Sequence, residues 1–187
     1  MICNFWTWTK LAKIFNTNWI LLYIKKSNWR KKQMLLEIKN ELLYHICLYK
    51  GFTLEVNKEY NTNNFPSRTY SECKVNKKEI ESGFEAYRSN YCPNLPSREK
   101  TFYVCKKKDV DIWLKELNTS RGLYKIFKVS CSGNIFWADS LYFKDGDKIK
   151  YWEGYNPTEG GVIEGLFIGA YKVLEECTYN PEFHPPK

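Results

Sequence analysis

The chain has 187 residues, 29 basic and 21 acidic side chains, a net charge of +8, and 43% hydrophobic and 17% aromatic content. That length suits one domain with a real core, and the apolar content excludes disorder. The charge does not make the whole chain a polycation: residues 1–33 hold seven basic side chains and no acid, and the other 154 residues hold 22 basic against 21 acidic.

Residues 1–33 therefore read as a basic leader, and residues 34–187 as a single α+β domain. The leader carries four of the seven tryptophans. Its apolar run, Trp19 to Ile24, is too short for a signal peptide, and no small-residue cleavage site follows. Three readings fit it: an amphipathic segment lying on a membrane surface, a basic arm that meets nucleic acid by phosphate attraction and stacking, or an extension upstream of a start at Met34. No stretch approaches the roughly 20 apolar residues of a membrane-spanning helix.

Leu35 to Leu43 reads as a short helix or the approach to a strand, and "LLYHICLY" as a strand through His45, closed by Lys50 and Gly51. Residues 57–74 read as a polar loop. Asn76, with Glu79 three residues on, has the capping-box pattern and predicts a helix start. Ile80, Phe84, Tyr87 and Tyr91 then recur at helical spacing, and the helix must stop before Pro93. "LPSREKTFYVC" passes from a loop into a short strand, and "KKDVDIWLKELN" is a second amphipathic helix with Val110, Trp113, Leu114 and Leu117 on one side. "LYKIFKVS" and "NIFWADSLYF" read as two strands with hairpin-like spacing around Cys131, Ser132 and Gly133. Asp145-Gly146 marks a turn before "KIKYWEGY". The Gly-rich loop "NPTEGG" precedes "VIEGLFIGAYKVLEEC", one or two strands broken at Gly165 or Gly169. The fold class predicted is α+β, an antiparallel-rich split sheet with two or three short flanking helices.

The seven cysteines are an odd number with no C-x-x-C. They read as reduced, mostly buried thiols of a cytoplasmic protein, with neither a zinc site nor a disulfide framework. No G-x-x-x-x-G-K, G-x-G-x-x-G, G-x-S-x-G or H-E-x-x-H occurs, so phosphate-loop, dinucleotide-fold, nucleophile-elbow and zinc-protease chemistries lack their residues. What remains is a set near strand ends: His45 early, Ser97 and Arg98 before a middle strand carrying Tyr103, and Glu164 at the head of a late one.

That order resembles the ADP-ribosyltransferase fold of the diphtheria-toxin class, in which a histidine, a tyrosine and a glutamate from three strands surround NAD. "LYHICLYKG" looks like its first motif, "LPSREKTFYVCKKKDVDIWL" like its second and "GGVIEGLFIGAYKVLE" like its third. The block "FEAYRSNYCPNLPSREKTFY" is similar to the E-x-x-R…P-S-R…F pattern of a small bacterial family known only as a domain of unknown function. The resemblance spans roughly Leu42 to Cys177. It implies NAD as substrate, no metal, and transfer of ADP-ribose to a macromolecular acceptor, in the setting of a toxin, phage-defence or counter-defence effector. It implies Glu164 as the catalytic carboxylate and Tyr44, His45, Ser97, Arg98 and Tyr103 as NAD-binding residues. No G-x-Y-F-S string follows the middle strand, so the stacking tyrosine is either Tyr103 or Tyr91. The alternative reading is a non-catalytic module whose rings Tyr124, Phe127, Phe136, Trp137, Tyr142, Phe143 and Trp152 form a sheet face for single-stranded nucleic acid or a protein partner.

Overall fold

Five strands and four helices appear in a computed structural model that describes residues 34–48, 54–64, 69–117, 124–154 and 161–177. The chain divides into two compact units, Met1–Met34 and Leu35–Lys187. The leader, the FPSR stretch at 65–68, most of the NPTEGG loop and the tail with His184 lie outside the described residues. In chain order the elements are β1 (Leu36–Leu48), β2 (Glu59–Asn61), α1 (Thr69–Tyr91), β3 (Phe102–Val104), α2 (Val110–Glu116), β4 (Tyr124–Asp139), α3 (Ser140–Lys144), α4 (Lys148–Trp152) and β5 (Ile163–Cys177).

The class is α+β, as expected, and every strand pair is antiparallel. The sheet runs β1-β4-β5-β2, with β3 also on β5. A further link joins β1 to the end of β3: Tyr44 and Cys105 exchange backbone hydrogen bonds of 2.9 and 2.8 Å. β1, β4, β5 and β3 thus form a circuit of paired backbone that is closed through this single bridge.

Strand alternation sorts the side chains onto two faces. Inside the circuit lie Leu43, Phe102, Val104, Phe127, Val129, Ile135, Phe167 and Val173 with their neighbours. On the other face Tyr103, Phe136, Ala138 and Leu166 pack against Phe84 of α1, Phe143 of α3 and Tyr151 and Trp152 of α4.

Several local expectations change. β1 is one strand from Leu36, with an irregularity between Ile38 and Glu41 where Asn40 takes a left-handed φ of 52°. Ser132 holds that bulge, accepting from the Asn40 amide at 2.9 Å and donating to its side-chain oxygen at 3.1 Å. The polar stretch after residue 57 contains β2 and the start of α1. Asn76 lies within α1, not at its cap: after Pro66 no glycine or proline interrupts the chain before Gly83, and an interior Asn costs under about 1 kcal/mol. The helix does end before Pro93.

The hairpin expected at Cys131–Gly133 does not form; β4 runs straight through, pairing with β1 on one side and β5 on the other. Gly133 sits opposite Gly169. With φ of +152° and +145° the two let the strands pass closely, since a Cβ on Gly133 would lie 2.3 Å from the Ile168 carbonyl oxygen. β5 is likewise unbroken. "SLYF" and "KIKYW" form short helices rather than strand because aspartates cap them. Asp139 accepts from the Leu141 amide at 2.9 Å and Asp147 from the Lys150 amide at 3.1 Å.

Candidate functional site

Loop residues Pro96 and Ser97 deliver Arg98 to the helix-covered face. Ser97 caps the 3-10 turn Arg98–Lys100, accepting from the Glu99 amide at 3.3 Å. Upstream, the E-x-x-R pair of α1 fixes the approach. Arg88 binds Glu85 at 2.7 Å and donates to the Leu95 carbonyl at 3.1 Å, so the helix end grips the loop that carries Arg98.

Arg98 itself is 2% exposed. Its Nε and Nη2 donate to Glu81 Oε2 and Oε1 at 3.0 and 3.2 Å, a two-pronged grip on a carboxylate that is fully buried. Its Nη1 donates to Glu164 Oε1 at 2.7 Å and also reaches the Tyr151 hydroxyl. Tyr151 in turn donates to the same Glu164 oxygen at 2.5 Å. Aromatic faces enclose the cation, with the Phe143, Tyr151 and Tyr103 ring centres 4.1, 5.1 and 5.2 Å from the guanidinium carbon.

Glu164 is 6% exposed, and its two oxygens differ. Oε1 receives Arg98 and Tyr151; Oε2 receives no hydrogen bond from the described residues and is not among the fully buried orphan atoms. Burial pushes the Arg98 pKa down, but Tyr103, Tyr151, Glu164 and Glu81 together hold it well above its usual value. Tyr151 is pushed well up, first by burial, so it serves as a neutral donor. Burial raises Glu81 too, against the pull of Arg98.

His45 lies elsewhere. It faces Phe127 across β1 and β4, stacks on Phe102 at 4.2 Å, is 1% exposed and so belongs inside the strand circuit. Glu164 sits opposite Ala138, and Ala138 and Leu166 belong to the helix-covered face. The two residues thus project from opposite faces and do not line one cleft. The sheet still connects them: His45 Nδ1 bonds the Tyr103 carbonyl at 2.7 Å, and the Tyr103 ring flanks Arg98.

Among the other expected NAD-binding residues, Arg98 does not present a free fork to a diphosphate, because its donors are taken by the two carboxylates. Ser97 is half-buried with its oxygen on the turn, and Tyr44 is half-buried on β1. Tyr103 is buried beside Arg98, whereas Tyr91 is 70% exposed at the end of α1. Phe127, Phe136, Trp137, Tyr142, Phe143 and Trp152 are buried in the two cores, so these rings offer no stacking platform. Among the described residues no group of His, Cys, Asp and Glu could hold a metal, and no helix is long and apolar enough to cross a membrane.

Glu81 and Tyr151 escaped the sequence reading, and Phe143 entered it only as a ring of the alternative binding face. For Glu81 a signal existed: an acid three residues before Phe84 borders the apolar stripe of α1, an uncommon position for a carboxylate unless it is paired.

Residues 9–179 match the family described as "Protein of unknown function (DUF2441)", and the chain belongs to that family. The matched span takes in residues 9–33 as well as the body. No curated protein matches the chain.

Proposed function

We propose that this member of the DUF2441 family is an ADP-ribosyltransferase-like protein that cleaves the nicotinamide–ribose bond of NAD at Glu164 and passes ADP-ribose to a macromolecular acceptor, protein or nucleic acid. The observation that carries the reading is the asymmetry of the Glu164 carboxylate. Arg98 and Tyr151 pin Oε1, while Oε2 receives no donor from the described residues.

In such a reaction the bond between ribose C1′ and the pyridinium nitrogen breaks, and its electron pair leaves with the now neutral nicotinamide. Positive charge builds on C1′ and its ring oxygen. Oε2 of Glu164 would accept a ribose hydroxyl and face that charge, an electrostatic contribution commonly worth on the order of 100-fold or more in rate. The acceptor's nucleophile then bonds C1′ and gives up its proton to water. Arg98 and Tyr151 position the carboxylate and do not touch the substrate. His45 has no contact role in this scheme, since it lies in the core on the other face.

A second reading is favoured by the burial of the cluster: a binding domain without chemistry, in which Glu81, Arg98 and Glu164 only tie α1 to β5. Incubating the purified protein with NAD and candidate protein, DNA and RNA acceptors, then measuring nicotinamide, separates the two. The enzyme reading expects release that Glu164→Gln nearly abolishes, with the fold and NAD affinity kept. No nicotinamide with any acceptor, together with no NAD binding, would leave the second reading standing.

A further inference from the structure

Among the described residues, the cluster around Arg98 does not balance electrically. One guanidinium meets two carboxylates, Glu81 at 3.0 and 3.2 Å and Glu164 at 2.7 Å, and all three side chains are more than nine-tenths buried. Tyr103 on β3 and Tyr151 on α4 are uncharged. Glu85, on the same helix as Glu81, is held by Arg88 at 2.7 Å. Lys148 of α4 is exposed and reaches the helix backbone near Gly83, its Nζ 3.5 Å from where a Cβ on that glycine would stand. With both carboxylates ionised, one negative charge is left over in a low-dielectric setting, which costs several kcal/mol. Within the described residues a proton or a bound cation would offset it.

We propose that Glu81 and Glu164 act as one pair bridged by Arg98, holding a single shared proton at neutral pH, and that a cationic group docking on Glu164 Oε2 displaces that proton to solvent. Glu81 is thereby a positioning residue: it touches no ligand and acts through Arg98 on the charge and orientation of Glu164. Displacement by the nicotinamide–ribose end of NAD rests on the function proposed above; the shared proton does not. The raised pKa of Glu81 agrees with this arrangement.

The pair can be tested without any ligand. Infrared spectra of the protein at neutral pH should contain a protonated-carboxyl band, which a merely structural ion pair would not produce. Glu81→Gln should remove it, because the amide takes the neutral place and leaves Arg98 balanced against Glu164. Glu164→Gln reaches the pair from the other side, should also remove the band, and serves if the first variant does not fold. Glu99→Gln, at an exposed position, should leave it intact. Absence of the band from the unsubstituted protein, or its survival in both Gln variants of the pair, overturns the proposal. Calorimetry with NAD in two buffers of different ionisation heat should show release of about one proton, lost in Glu81→Gln. Binding without proton release overturns the displacement step. Absence of NAD binding overturns that step and the NAD reading together, while the infrared band still decides the shared proton.

Discussion

His45 donates its Nδ1 proton to the Tyr103 carbonyl at 2.7 Å, because a carbonyl can only accept. The ring is stacked on Phe102 inside the strand circuit, and burial lowers its pKa from 6.5 to about 4, the bond to Tyr103 only partly opposing that shift. Folded protein therefore keeps His45 neutral where the unfolded chain would protonate it.

A pH dependence of stability follows. Above pH 6.5 His45 contributes no slope; as pH falls from 6.5 toward 4 the unfolded chain takes up a proton that the folded one refuses. Stability should drop through that window by up to about 3 kcal/mol from this group. Glu81 acts with the opposite sign, its raised pKa favouring the folded state as it protonates. Comparison with His45→Asn, which keeps a donor near the Nδ1 position, isolates the histidine. Urea midpoints measured across the range should fall less steeply for the variant, and identical slopes would show that His45 does not titrate in this way.

Arg98→Ala should cost about 3–5 kcal/mol, because it leaves two buried carboxylates facing each other without their cation. Arg98→Lys should recover only part of the loss, since an ammonium cannot grip Glu81 with two prongs and still reach Glu164. Thermal melts of both variants check this. A lysine variant as stable as the parent would mean that charge alone, and not fork geometry, holds the cluster.

Two glycines should respond to a methyl group by different amounts. At Gly165 a Cβ would meet Ile135 and Trp137 side-chain atoms at 2.8 Å, an overpacking that typically costs about 1–3 kcal/mol. At Gly133 it would meet backbone at 2.3 Å with φ at +152°, and backbone cannot swing aside. Gly133→Ala should therefore be the more damaging, and the reverse ranking in denaturant melts would contradict the close β4–β5 approach.

A chain beginning at Met34 should keep a cooperative melt, because Leu35–Lys187 is a compact unit by itself. Full-length protein should retain oligonucleotides at low salt and the shortened chain should not, since the leader carries seven of the eight net charges. Equal, salt-sensitive retention by both would move nucleic-acid binding into the body.

Local chemistry by itself determined much of this molecule. Period-two and period-3.6 patterns placed the strand through His45, the helix that ends before Pro93, the short strand at Tyr103 and the strand headed by Glu164. The class α+β with antiparallel pairing followed from element order. The caps at Asp139 and Asp147 were also written locally, but apolar alternation masked them.

Tertiary structure decided what no window of sequence contains. Alternation tells which residues of one strand share a face, but not which face of a second strand they join; that needs register. The pairing of His45 with Phe127, and of Glu164 with Ala138, put the two on opposite sides of the sheet. Arg98 likewise meets Glu81 across 17 residues and Glu164 across 66, on a helix and a strand that only packing brings together. The continuity of β4 was settled the same way: Gly133 reads as a turn by itself, and becomes a crossing point because Gly169 lies opposite it.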